Sequence, residues 1–246
     1  MGARGWALVT GGARRIGQSL AVAAARCGYD VVVHSRDAEA AETGALVRNL
    51  GARFQDLKAD LADPAACLEL IARAPGPLTL LVNSASIFED DRLQTLTAAG
   101  LDRAFAVNTR APILLAQAFA SALGPDGEGL IVNVLDQKVL APDPRFFSYT
   151  MSRGALWAAT RMMAQALAPR VRVNAIGPGP TLPSIHQSPE DFAAEARGTL
   201  LARPVGPDQI AAALAYLIDA RAVTGQLMAV DSGQHLGWRT PDVIGE

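Results

Sequence analysis

Short runs of consecutive apolar residues alternate along this chain with longer stretches of helical character. The apolar runs are WALVT (6–10), DVVVH (30–34), LTLLVNSAS (78–86), GLIVNVL (129–135), VRVNAI (171–176) and QLMAV (226–230), with FQDLKADL (54–61) a more polar member. Runs of Val, Leu and Ile without strict in/out alternation predict strands covered on both faces. Between them RRIGQSLAVAAARCG, RDAEAAETGALVRNLG, PAACLELIARA and PDQIAAALAYLID (207–219) predict helices. A longer helix is expected from about Ala99 to Leu123, and another carries Tyr149. Alternating strand and helix predict an α/β fold, a doubly wound domain with a parallel sheet flanked by helices. No repeat or low-complexity linker interrupts the pattern, so residues 1–246 are read as a single domain.

Composition narrows the function. Half of the 246 residues are apolar, enough for a sizeable core without disulfides or metal. The net charge of −2 comes without any run of like charges, which argues against nucleic acid or an anionic membrane as partner. Cys27 and Cys67 lie in helix-like segments without ligand spacing, so buried thiols in a reducing, cytoplasmic setting are expected. The opening MGARGWALVTGG has too short an apolar run for a signal peptide, and no stretch reaches the length of a membrane span. His34, His186 and His235 show no metal spacing, and local hydrogen bonding is expected of each.

The candidate chemistry begins where the first strand runs into VTGGARRIGQSL. Gly11 and Gly12 permit a tight turn, and Gly17 lets the next helix start close against the strand, facing its amides to a pyrophosphate. Such a turn also serves as a plain connection, but the adjacent Arg14 and Arg15 suit phosphate. The second strand ends His34-Ser35-Arg36, without the acid that would accept from a ribose 2′-hydroxyl. Arg36 and Arg14 suit a 2′-phosphate instead, which points to NADPH rather than NADH. Asp37 follows and is a candidate helix cap. In FSYTMSRGAL (147–156), Tyr149 and Arg153 lie one helical turn apart on one face. A permanent cation beside a phenol is expected to lower its pKa from about 10 toward the working pH of a general acid.

Taken together, TGGARRIG (10–17), ADL (59–61), NSAS (83–86), Asn108, the Tyr149 helix, VRVNAIGPG (171–179) and TGQLMAVDSG (224–233) resemble the short-chain dehydrogenase/reductases over nearly the whole chain. The resemblance implies a Rossmann-like fold of about seven strands and a homotetramer. Within the family, pteridine and dihydromonapterin reductases are the nearer likeness. Arg15 stands at the middle glycine, Phe88 at the aromatic position of NSASIF, and Asp136 in place of the usual serine, thirteen residues before Tyr149.

The resemblance implies that Tyr149, Arg153, Asp136 and Asn108 are catalytic, Asn108 helping to hold a water. Gly11, Arg14, Arg15, Ile16 and Gly17 would contact the cofactor, with His34, Ser35 and Arg36 around its 2′-phosphate. Asp60 and Leu61 would flank the adenine, Asn83 and Ala85 lie beneath the cofactor, and Pro178 and Gly179 stand beside the nicotinamide. A flat pterin would stack on Phe88, with Arg15, Ser86, Asp136 and Tyr149 as polar contacts. The family places lysine where Arg153 stands. Arginine keeps the charge, but its planar fork alters ribose placement and proton supply. The proline-bounded stretch 178–206, with a helical middle, is expected to be a substrate lid. A ketone reductase, or a dinucleotide-binding regulator that has lost turnover, are the alternative readings.

Overall fold

The structure, a computed structural model, describes residues 4–184 and 186–238. The ends of the expected 1–246 domain, and one residue of the 178–206 segment, lie outside the described residues. Seven strands form one sheet: β1 (Trp6–Thr10), β2 (Asp30–Ser35), β3 (Phe54–Lys58), β4 (Leu78–Asn83), β5 (Gly129–Val134), β6 (Val171–Pro178) and β7 (Leu227–Val230). Their order is β3-β2-β1-β4-β5-β6-β7, and every neighbouring pair is parallel. The doubly wound fold expected from the sequence is therefore the fold observed. Its winding reverses between β1 and β4, and sheets of this kind bind ligands beyond the strand ends at that switch point.

The connections are α1 (Arg15–Arg26), α2 (Ala41–Asn49), α3 (Pro64–Ala72), α4 (Ala98–Phe105), α5 (Ala111–Ala122), α6 (Phe147–Leu167), α7 (Pro189–Arg197) and α8 (Pro207–Asp219). Each face of the sheet has its own core. Val9, Val31, Val33, Leu80 and Val132 pack with Leu20, Ile210 and Leu214 on one side. Leu8, Val32, Leu81, Ile131 and Val173 pack with Leu70, Leu115 and Phe119 on the other. Successive strand residues point to opposite faces, so a strand buried on both must be apolar throughout. The helix α8 ends against Arg172, whose guanidinium donates to the carbonyls of Leu217, Ile218, Ala220 and Val223. Among the described residues no helix is long and apolar enough to cross a membrane.

One expected element differs. The single helix from Ala99 to Leu123 is instead α4 and α5, joined by a π turn over Ala106–Arg110. Pro112 lacks the N–H that an α-helix would direct to the Asn108 carbonyl. The Ala111 N–H donates to Ala106 O across the wider turn. Asn108 is pulled to the same place by its side chain, which accepts from Ile87 N (2.9 Å) and donates to Ile87 O and Ser152 Oγ (both 3.0 Å). π turns of this kind often mark functional sites.

Candidate active site

Beyond the C-terminal ends of β1, β2 and β4 runs a groove of about 770 Å³. Gly11, Arg14, Arg15, Ile16 and Gly17 form one part of its wall, and His34, Ser35, Arg36, Asp60 and Leu61 another. Ala85, Ser86, Asp136, Tyr149, Arg153, Pro178 and Gly179 complete the stretch along β4, β5 and β6. Asn83, expected beneath a cofactor, is not in this wall. Its amide points into the core, donating to Asn133 Oδ1 (2.9 Å), and Asn133 donates to Thr160 Oγ1 (2.9 Å). The reason is strand parity: Asn83 faces its registered neighbour Asn133 rather than the groove.

The glycine turn is built for close approach. Gly11 has φ +66°, and a Cβ there would lie 2.9 Å from Ala85 Cα. A Cβ on Gly17 would lie 2.1 Å from Gly11 O, so only glycine lets α1 start this near the strand. Thr43 Oγ1 braces the turn by donating to Gly12 O (3.2 Å) and Ala13 O (3.0 Å). Arg15 takes φ +55°, a left-handed conformation that disfavours a side chain. Its guanidinium donates to Pro183 O (2.9 Å) and Leu182 O (3.3 Å), tying the turn to the 178–206 segment.

At the far end, Ser35 Oγ donates to Ala38 O (2.7 Å) and accepts from Lys58 Nζ (2.8 Å), which fixes the loop behind Arg36. Asp37 is not a cap for α2, which starts at Ala41 after Ala40; it accepts from Arg36 Nε at 2.6 Å. Both side chains of that pair are exposed, so it is weak and open to exchange for a stronger anion. His34 is buried, with Nε2 donating to Ala59 O (3.1 Å), and burial holds its pKa below the ordinary value. The imidazole is therefore neutral.

At the centre, Asp136 leaves β5 with extended backbone. Its Oδ1 accepts from Lys138 N, and its Oδ2 accepts from Tyr149 Oη, each at 2.9 Å. The carboxylate is thus both a turn cap and the partner of the phenol. The Arg153 Cζ stands 5.5 Å from the centre of the Tyr149 ring. Only 2% of Arg153 is exposed; Nη2 donates to Ala85 O at 3.4 Å, while Nε and Nη1 have no partner among the described residues. The expected lowering of the Tyr149 pKa is overturned. Burial raises it most, the Asp136 charge raises it further, and Arg153 opposes without prevailing. Burial likewise lifts Asp136 above the usual carboxylate range against the pull of Lys138, Tyr149 and Arg153.

A second cavity, of about 750 Å³, opens on the other side of Asp136 and Gly179. Phe88 lines it, stacked on Phe146 (4.3 Å between centroids, 24°) and edge-on to Tyr149 (4.7 Å, 86°). Phe146 and Gln137 also line this cavity, and Arg103 lines the groove; the sequence reading missed all three. Phe146 was hidden because, at φ +54°, it lies outside α6, where helical spacing says nothing about direction. Asp91 was missed as well. Its carboxylate accepts from Ser148 N (3.0 Å) and from Ser148 Oγ, capping α6 where Phe146 supplies no side-chain cap.

A phosphate-suited glycine turn at a switch point, leading to a buried tyrosine with a cation one turn on, defines a dinucleotide-dependent oxidoreductase. The family model described as enoyl-(acyl carrier protein) reductase matches residues 11–235. The chain belongs to the short-chain dehydrogenase/reductase family. It is similar to FolM alternative dihydrofolate reductase 1 of Brucella suis, solved in complex with NADP, at 43% identity and a TM-score of 0.92, over 99% of this chain and 100% of that one. A putative short-chain alcohol dehydrogenase of Sinorhizobium meliloti aligns at 30% identity and a TM-score of 0.91, over 96% and 98% of the two chains. An uncharacterized oxidoreductase of Mycobacterium tuberculosis is 33% identical over 92% of this chain and 90% of its own length.

Proposed function

We propose that this chain is an NADPH-dependent reductase of a C=N bond in a dihydropterin-like substrate, with Tyr149 as proton donor. The observation that carries this is the meeting of the two cavities at Asp136. On one side is a groove with a phosphate turn, on the other an aromatic wall of Phe88 and Phe146. The likeness to the Brucella suis reductase solved with NADP supports both halves.

The groove fits a dinucleotide. The glycine turn packs its backbone against Ala85 and the start of α1 where any Cβ would clash, which sets the amide-rich start of α1 at the groove, and Arg153 holds two buried donors in want of acceptors. Arg14 and Arg36 would meet the 2′-phosphate, with Asp37 releasing Arg36 to it. Arg153 would donate to the nicotinamide ribose hydroxyls, and Pro178 and Gly179 would flank the ring. When bound, the cofactor supplies the hydride that reduces the carbon of the C=N bond.

The remaining chemistry belongs to the chain. Tyr149 stays protonated near neutral pH, because burial and Asp136 both raise its pKa. It can therefore give its proton to the substrate nitrogen as charge develops there. Arg153 stabilises the phenolate that remains, and Asp136, whose raised pKa favours taking up a proton from solvent water, hands that proton to the phenolate across their hydrogen bond. The three groups titrate as one unit. Asn108 offers the backbone carbonyl that Pro112 leaves without a helical donor, a place for the water of the relay. The segment 178–206, held to the turn by Arg15, closes the substrate side, and the homotetramer belongs to the same reading.

The test follows NADPH absorbance with dihydrobiopterin, dihydromonapterin and simple ketones. Turnover of a dihydropterin, lost in Tyr149→Phe, is the expected result. Turnover of ketones alone would establish the ketone reductase instead. NADPH binding without oxidation of any substrate, in both the native protein and Arg153→Lys, would leave the regulator.

A further inference from the structure

Gln137 follows Asp136 at the start of the short 3-10 turn Gln137–Val139. Only 6% of the residue is exposed, yet it lines the second cavity. Its amide oxygen is buried and has no hydrogen-bond partner among the described residues. Folded proteins rarely leave such an acceptor unpaired, since burying it forfeits its bonds to water with nothing in return. A glutamine serving only to pack the wall is replaced at no loss by leucine or methionine. The neighbouring polar groups do not use it. Asp136 is taken by Lys138 N and Tyr149 Oη, while Lys138 Nζ and Arg145 both turn to Asp143.

We infer that Gln137 is a substrate-binding residue whose amide oxygen accepts a hydrogen bond from an N–H or O–H group of the molecule in the second cavity. The inference rests on the proposed reading for the identity of that molecule. It adds the requirement that the substrate carry a donor at this wall. The ring N–H and amino groups of a reduced pterin meet that requirement, and a simple ketone does not. Discrimination by such a site is strong, because a substrate without the donor leaves the buried oxygen unpaired in the complex as well.

The experiment compares native protein with Gln137→Leu and Gln137→Met. Dihydrobiopterin binding is measured by calorimetry on NADP+-loaded protein, where no hydride can move. Thermal unfolding is measured on the free proteins, and NADPH affinity separately. The expected result is dihydropterin binding weakened about tenfold or more, NADPH affinity unchanged, and unfolding temperatures equal to or above the native value. Equal dihydropterin affinity in native and variant proteins would overturn the inference. So would unfolding temperatures lowered in both variants, the mark of a packing role. The proposed reading fails separately, if the native protein oxidises NADPH with no dihydropterin. Failure of the native protein to bind the dihydropterin at all overturns both.

Discussion

Arg153 carries a permanent charge into a setting where almost none of it meets water, and two of its three nitrogens lack partners among the described residues. A buried cation so incompletely paired does little for the free protein, because its desolvation cost offsets its attraction to Asp136. Arg153→Met should therefore leave the unfolding temperature of the free protein unchanged or higher. The rise in that temperature on adding NADPH should shrink, and turnover should fall by about 100-fold or more. Calorimetric scans with and without NADPH check the first part. Asp136 bears the complementary cost. Its folded pKa lies above its ordinary 3.8, so between those two values the native state holds a proton that the unfolded chain has released. Stability falls as pH rises through that window and loses nothing more above it. Asp136→Asn keeps an acceptor for Lys138 N and removes the buried charge. The variant should be more stable than the native protein at pH 7, gain little below pH about 4, and lose activity. Urea titrations at the two pH values measure the difference.

At the scale of elements, the start of α6 decides where the phenol points. Phe146 breaks the chain into a left-handed conformation just before the helix, and Asp91, from the loop after β4, supplies the missing cap. The same loop carries Phe88 onto Phe146 and Tyr149. Cap and ring stack thus hold the start of α6 to the aromatic wall of the second cavity. Asp91→Ala should cost about 1–2 kcal/mol of stability. It should lower kcat and raise the substrate KM while leaving NADPH affinity as it was, since the groove lies on the other side of Tyr149. Asp91→Asn, which keeps an acceptor for Ser148 N, should restore most of the activity. The π turn at Ala106–Arg110 works in the same way: Pro112 frees a carbonyl, and the Asn108 side chain pins the Ile87 backbone.

For the whole molecule, the parallel order with its reversal between β1 and β4 opens one crevice, and the glycine turn lets α1 close to within contact of it. Gly17→Ala would drive a Cβ into the Gly11 carbonyl, backbone against backbone, with no side chain able to yield. A loss of about 1–3 kcal/mol is expected from overpacking, together with loss of NADPH binding, read by denaturant unfolding and by quenching of cofactor fluorescence. Arg15 links this turn to the 178–206 segment through the carbonyls of Leu182 and Pro183. The glycine turn and the 178–206 segment are therefore joined through one side chain.

Strand and helix order, the parallel sheet and the cofactor turn were legible in the sequence, because each depends on local periodicity or on glycine's freedom at a few positions. Tyr149 and Arg153 were legible as a pair from their helical spacing, whereas Asp136 stood out only through the family resemblance. What the sequence left open depends on distant segments meeting. The sign of the Tyr149 pKa shift turns on burial, which outweighs the adjacent cation and is invisible in spacing. Asn83 faces the core because β5 offers it Asn133, and Asp37 meets Arg36 because α2 begins later than its sequence suggests. Phe146, Asp91 and Gln137 gain their places only when the loop after β4, the turn after β5 and the start of α6 converge. The chain's local chemistry wrote the fold and the Tyr149–Arg153 pair; long-range packing set the sign of the phenol's pKa shift and the wall it faces.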